Sequence, residues 1–262
     1  STTDASQGRI TWSYPNFIWD GDNGVGGDSD GLWTTAANWK GGSAPSTATC
    51  PSTDDILIAT PSTNDCSGGT APCWPRLDAT PRFINNLTLA AGTQFTVDFG
   101  ALGDNGAGAG TLGICGDFFK SGTATFTSTD GTIEAAGANG KDFTLLGNAT
   151  FKALRLNKGA AATTLTLKSG DLTVNATTNL DVGTLDLGGR TFTSLGNLTI
   201  AANGVLNLTT VSTLKMGNTA TAAINGKLTS PSGSNPTITG NGAPCTAGRY
   251  AFTVSGAGAL VD

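Results

Sequence analysis

Histidine is absent from this chain, and glutamate occurs once, at Glu134. Only 13% of its 262 residues are charged, and the formal net charge is −5. Without histidine no Ser–His or Cys–His catalytic pair can form. Without a basic face the chain lacks the charge that phosphate backbones demand, which excludes nucleic acid as a partner. No apolar run approaches the length of a membrane-spanning helix, so no membrane span is expected. No stretch of these residues reads as a signal peptide, and with Ser1 first and Met216 as the single methionine a processed product or a fragment is the expectation. Lysine and glutamate, which build solvated helix faces, are scarce. Gly, Thr, Ala, Asn and Ser dominate, and they suit strands and tight turns.

Proline and tryptophan are both missing from Phe83 to Ser230. Proline cannot donate to a β ladder, so a long proline-free stretch is free to be continuous sheet. All five tryptophans (Trp12, Trp19, Trp33, Trp39, Trp74), three cysteines and seven of the ten prolines lie within residues 1–81, and prolines return at Pro231, Pro236 and Pro244. The chain therefore divides into a cap or interface block at 1–81, a regular body at 82–230, and an irregular C-terminal segment with a terminal strand at 231–262.

The body consists of short alternating runs: "FTLL" 143–146, "LRL" 154–156, "LTL" 165–167, "LTV" 172–174, "LDV" 180–182, "LDL" 185–187, "NLTI" 197–200 and "VLNL" 205–208. Period two means one face buried and one wet. Leu165, Leu167, Leu185, Leu187, Leu198 and Ile200 are the expected core positions, and Thr166 and Thr199 should face out. An Asn or Asp precedes a short strand at Asn86, Asp117, Asn148, Asp171 and Asn197, at spacings of 31, 31, 23 and 26. The segment "NLTLAAGTQFTV" from Asn86 is similar to "NLTIAANGVLNL" from Asn197. Degenerate periods of this length mark a solenoid. The expected fold is all-β, a parallel β-helix (β-solenoid) preceded by an irregular Trp/Pro/Cys-rich N-terminal block. A β-sandwich is the competitor, but its strands usually run longer.

The stretches "GDFFKSGTATFTSTDGTIEAAG", "LTLKSGDLTVNATTNLDVGTLDLGGRTFTSLGNLTI" and "LWTTAANWKGGSAPSTATCPSTDDILI" resemble repeats and an N-terminal Trp motif of large secreted bacterial β-solenoid surface proteins, the adhesin-like and autotransporter-like proteins common in Bacteroidetes. The likeness spans most of residues 31 to 230. It implies an exported module at the cell surface, structural or adhesive.

Four aspartates, Asp20, Asp22, Asp28 and Asp30, fall in the glycine-rich stretch "WDGDNGVGGDSDGLW". Calcium takes such hard oxygen ligands. The EF-hand pattern fails, however, because Gly24 or Leu32 stands at the third ligand position and no glutamate closes the loop. An Asx-rich turn is the favoured reading. Calcium is the one candidate ion, and no cofactor is expected.

Cys50, Cys66, Cys73, Cys115 and Cys245 fit no zinc spacing. In an oxidising compartment they allow two disulfides and leave one thiol over. As buried thiols they would act as small hydrophobes.

The best acid–base constellation is Asp181, Asp186 and Arg190 with Arg155 one coil earlier, but the carboxylates sit between apolar residues and should point outward as solvated surface. Asp54 and Asp55 are adjacent, so in a strand they would face opposite sides. Five Asn-x-Thr sequons (Asn86, Asn148, Asn175, Asn197, Asn207) coincide with turn and strand requirements. Thr-x-Thr pairs such as Thr125/Thr127 and Thr191/Thr193 fit ice binding only if they stack on one flat face. Their irregular spacing argues for ordinary solvated threonine.

The expected function is that of a non-enzymatic extracellular structural or adhesive surface protein that self-assembles head-to-tail into a fibre. Its partners would be itself, as a homopolymer, or other surface components. The terminal run around Tyr250, Phe252 and Val254 is the expected assembly strand. The alternative is a carbohydrate-binding or polysaccharide-degrading β-helix, with glycans as partners.

Overall fold

The computed structural model describes residues 15–19, 31–59, 75–77, 81–97, 110–138, 140–209, 211–241, 251–254 and 260–261. Apart from one short 3-10 turn at Ala36–Asn38, every regular element in them is a strand. All the ladders between strands are parallel. The fold is a β-solenoid, as the alternation and the degenerate period predict.

Each coil contributes three strands, one to each of three faces. Ala153–Asn157, Thr164–Ser169 and Leu172–Val174 form one such coil. Coil length varies. Thr178 pairs with Leu198, 20 positions on, whereas Leu87 pairs with Phe118, 31 positions on. The first and second faces belong to one sheet of 16 strands, and the third is a separate sheet of 8. Two long strands, Thr178–Asp186 and Leu198–Asn207, bend around the corner that joins the first face to the second. Gly183 sits at that bend with φ 104°, and a Cβ there would lie 2.8 Å from both the Lys158 Cβ and the Thr163 carbonyl oxygen. Only glycine meets both demands.

The strands outside the proline-free stretch join the same faces. Phe17–Trp19 and Ile56–Ile58 pair in turn with Leu87–Leu89 on the second face. Thr237–Gly240, Ala251–Val254 and Leu260–Val261 make the last coil on the third, first and second faces.

The six expected core residues are all buried, at 1% exposure or less. Thr166 and Thr199, between them in sequence, are partly exposed. Inside the N-terminal half the core is aromatic. Trp33 stacks on Phe95 at 5.2 Å, and the contact continues through Phe126 at 5.8 Å to Phe151 at 5.3 Å. The first contact is stacked and the other two are edge to face, the arrangements that aromatic rings prefer. Toward the C-terminus Leu, Ile, Val and Met replace the rings.

The aligned Asn and Asp residues do not mark one position in the coil. Asn86 and Asp117 precede second-face strands, Asn148 and Asp171 precede third-face strands, and Asn197 precedes a first-face strand. The interval from Asp117 to Asn148 is therefore more than one coil. The chemistry is nonetheless shared: each side-chain oxygen accepts an N–H from the next coil. Asn86 accepts from Asp117, Asp117 from Asp142, Asn148 from Asp171, Asp171 from Thr191, and Asn197 from Thr221, at 2.7 to 3.0 Å. Asn16 and Asp55 extend the second-face corner ladder backwards.

Two lysines are buried in this core. Lys120 holds an inward position, between Leu89 and Leu145 in register, and its Nζ donates to the Leu146 carbonyl at 2.9 Å. Lys158 is fully buried and donates to the Ala136 carbonyl at 2.6 Å. Burial pushes the Lys158 ammonium down to about 8, helped by the charge of Lys141 and opposed by that of Asp117. Burial also lowers Lys120.

Leu185→Ala is expected to cost about 2–5 kcal/mol through lost burial and a cavity, whereas Thr199→Ala on the outer surface should stay within about 0.5 kcal/mol. Urea unfolding of both variants checks this, and equal costs would refute the inside–outside assignment. Lys158 gives a second expectation. Between about pH 8 and its ordinary 10.5, the folded chain holds fewer protons at this site than the unfolded chain, so stability rises with pH across that window. Below it the lysine is charged in both states and contributes no slope. The melting temperature of the native chain minus that of Lys158→Met should therefore rise as pH is raised through the window; a constant value would show that the lysine is not perturbed.

Candidate functional site

The sequence-predicted positions fall into three groups. Asp20, Asp22, Asp28 and Asp30 lie outside the described residues, as do Cys66, Cys73, Cys245 and Tyr250. Among the described residues no group of three His, Cys, Asp or Glu side chains is placed to hold a metal ion. The remaining cysteines, Cys50 and Cys115, are joined by a disulfide, with Cα atoms 5.8 Å apart and 65 positions between them in sequence.

This disulfide builds a groove. It ties the Thr49–Pro51 segment to the end of the first-face strand Thr111–Ile114. The Thr47 carbonyl also accepts the Phe83 N–H at 2.9 Å, so the segment lies along the first strand of that face. Between this wall and the turn at Gly137 runs a groove of about 520 Å³, lined by Phe83, Asn85, Glu134, Lys141 and Asn157. The Phe83 ring occupies the space a side chain at Gly113 would need. Glu134 is buried; it accepts from the Asn157 amide at 3.0 Å and pairs with Arg155 at 3.5 Å.

Arg155 also pairs with Asp181 at 2.6 Å, so two carboxylates flank one guanidinium on the first face. Asp186 stands apart. It lies beyond the Gly183 bend on the second face, where it accepts from the Thr209 hydroxyl at 2.7 Å. Arg190 donates to the Lys168 carbonyl at 3.1 Å. The candidate acid–base constellation is thus split across a corner. Glu134, absent from the candidate constellation, is the third member of the Asp181–Arg155 cluster. Its alternation in "TIEAA" with inward Ile133 and Ala135 places it outward, one coil before Arg155. Asp54 and Asp55 also separate: Asp54 accepts from the Thr47 hydroxyl, and Asp55 from the Asn85 and Asn86 amides.

The two ends of the solenoid differ. At the N-terminal end Trp19, Trp33 and Trp39 are buried. Trp19 forms an antiparallel bridge with Trp39, and the rings of Trp33 and Trp39 meet edge to face at 4.6 Å. The Trp39 indole N–H donates to the Trp33 carbonyl at 2.7 Å. At the C-terminal end, Ile238 and Val254 stand in register with Leu214 and Ile224, which are fully buried. Yet Ile238 is 37% exposed and Val254 52%. They hold inward positions in the last coil, with no described strand beyond them. Ala251–Val254, which includes Phe252, pairs with Thr221–Ile224, so one edge of the expected assembly strand is already used within its own chain.

The outward rows of the faces also differ. On the first face the row reads Phe83, Gly113, Glu134, Arg155, Asn179, Thr199, Ala223, Thr253. The second face carries Asp142, Thr166, Asp186, Asn207 and Thr229 in register. On the third face Thr96, Thr127, Thr150, Thr173 and Thr193 stand in register over five successive coils, followed by Lys215 and Thr239. A second row holds Thr191, Thr213 and Thr237. The Thr125/Thr127 and Thr191/Thr193 pairs therefore do share one face. Their irregular spacing in sequence reflects coils of unequal length, and the register removes it.

No described helix is long and apolar enough to cross a membrane. The chain matches no protein-family model, no curated protein and no solved structure.

Proposed function

We propose that this chain is a non-enzymatic structural or adhesive segment of an extracellular surface protein, a rod extended coil upon coil. The observation that carries this reading is the exposure of Ile238 and Val254 at inward positions of the last described coil. A solenoid coil buries its apolar face only against its neighbours. Ile238 and Val254 belong to the core by position, yet among the described residues no coil stacks on them, and a strand edge left in that state can pair with another strand. The Cys50–Cys115 disulfide suits an oxidising exterior. So does the resemblance of the repeats to surface solenoids. The tryptophans at the other end cover the first strands, which favours contact through the C-terminal ends over an open head-to-tail fibre.

Glycan binding is a second reading, supported by the groove beside the disulfide. There an aromatic ring, two asparagines and a carboxylate converge, a mixture that suits sugar faces and hydroxyls.

Light scattering over a concentration series tests the first reading. The chain should associate as concentration rises, and Val254→Asp should abolish that association while leaving the circular dichroism spectrum unchanged. A chain that stays monomeric at high concentration would remove self-assembly.

A further inference from the structure

The third face carries a feature that strand propensity alone does not explain. Threonine suits strands wherever they occur, and all three faces contain it. Only the third face lines it up. Its outward row is uncharged for five coils, from Thr96 to Thr193, whereas the equivalent first-face row contains Glu134 and Arg155 and the second-face row Asp142 and Asp186. Each threonine of the row lies between inward neighbours that are buried, such as Phe95 and Val97, Ala149 and Phe151, or Leu172 and Val174. The row therefore faces out. Thr150 is its most open member and Thr193, at 8% exposure, its most shielded.

The geometry of the row is regular. Register shifts occur between Leu156 and Asn157 on the first face, between Phe143 and Thr144 on the second, and where Thr178–Asp186 turns the corner between them. The third sheet's ladders run without one. Parallel strands hold the hydroxyls about 4.8 Å apart along the row, and a Thr-x-Thr pair spans about 6.6 Å across it. The shorter repeat lies close to the repeat of oxygen atoms in the basal plane of hexagonal ice. Threonine is β-branched and stiff at χ1, so its hydroxyl and methyl keep one orientation. The hydroxyl both donates and accepts, as lattice water does. The methyl orders the water around it without binding it. A charge in the row would hold its own hydration shell and break the pattern.

We propose that the third face is an ice-binding surface, with Thr96, Thr127, Thr150, Thr173 and Thr193 as its row and the Thr125 and Thr191 hydroxyls beside Thr127 and Thr193; Asp171 at the corner separates those two, and Lys215, next in register, ends the row. The ligand is the ordered water of a crystal surface. This inference is independent of how the ends are covered, because the face runs along the stack and neither end supplies it.

The experiment uses the whole chain. Growth of a single ice crystal and recrystallisation of a frozen solution are followed with the native protein, with Thr150→Tyr, with Thr173→Tyr and with Thr199→Tyr, the last on the first face. Circular dichroism and melting temperature establish that each is folded, and Thr150→Val provides a smaller change that keeps the β-branch. The native chain and Thr199→Tyr should shape the crystal and suppress recrystallisation. Thr150→Tyr and Thr173→Tyr should lose most of that activity, because a projecting ring lifts the face from the lattice. A native chain that leaves ice growth unaltered would overturn the proposal. So would folded third-face variants that keep full activity, or a loss just as large in Thr199→Tyr. Adsorption to an insoluble polysaccharide with no effect on ice would identify the row as a glycan platform and reject ice as its ligand.

Discussion

The register between one coil and the next is the constraint from which the rest of this molecule follows. Parallel hydrogen bonding fixes successive strands about 4.8 Å apart, so each inward side chain lies directly over its counterpart. A core built this way is a set of columns. Phe95, Phe126 and Ala149 follow one another in register, whereas Phe151 lies one column over, in register with Ser128, and meets the Phe126 ring edge to face at 5.3 Å. Further along, Leu172, Phe192 and Leu214 continue the third-face column. A polar inward residue must find its partner within the same stack. Thr178 and Ser194 do so with each other at 3.1 Å, and Ser194 also donates to the Gly196 carbonyl.

Corners absorb what the faces cannot. A coil of 20 residues and one of 31 present the same three strands, and the extra residues leave in turns. What keeps the corners aligned is the side-chain oxygen of Asn or Asp, which takes an N–H of the next coil where the strand ladder is interrupted. Most of these N–H groups are exposed and would otherwise turn to water, so the side-chain oxygen serves to hold one coil's corner over the next. This also accounts for the sequons: Asn86, Asn148 and Asn197 are occupied in these ladders, and Asn207 accepts from Thr229.

Period-two alternation made the fold class and the inside–outside assignment legible in the sequence, because burial is decided residue by residue within each short run. Position around the coil was not legible. The same Asx chemistry recurs ahead of strands on all three faces, so "NLTL" at a second-face strand and "NLTI" at a first-face strand read alike. Once the face is unknown, neighbours across coils are unknown too. For this reason Asp181 and Asp186 read as one cluster, although Gly183 turns them onto different faces, and the threonine pairs read as scattered although they share one. Five cysteines allow many pairings, and proximity of Cys50 to Cys115 depends on how the first coil folds back. Lys120 was within reach of the pattern, since "FFK" places it on the side of Phe118. Its burial depends on a carbonyl, that of Leu146, which local sequence does not identify.

In-register stacking also sorts charge by face. A residue's nearest neighbours on the surface are the equivalent residues one coil above and below, so two like charges in one row would repel at strand spacing. A row can alternate signs or remain neutral. The first face takes the former course: Arg155 follows Glu134 in the row, and Asp181, beside the row, also pairs with Arg155. The second face pairs Lys168 with Asp142 at 3.8 Å, both well exposed and therefore worth little in stability. The third face takes the latter course through five coils of threonine. Neutrality there costs the chain little in folding, because β-branched residues already fit the strand. It leaves a surface whose regularity is inherited from the backbone ladder itself, which is why sequence intervals that look irregular become a straight row once the chain is coiled.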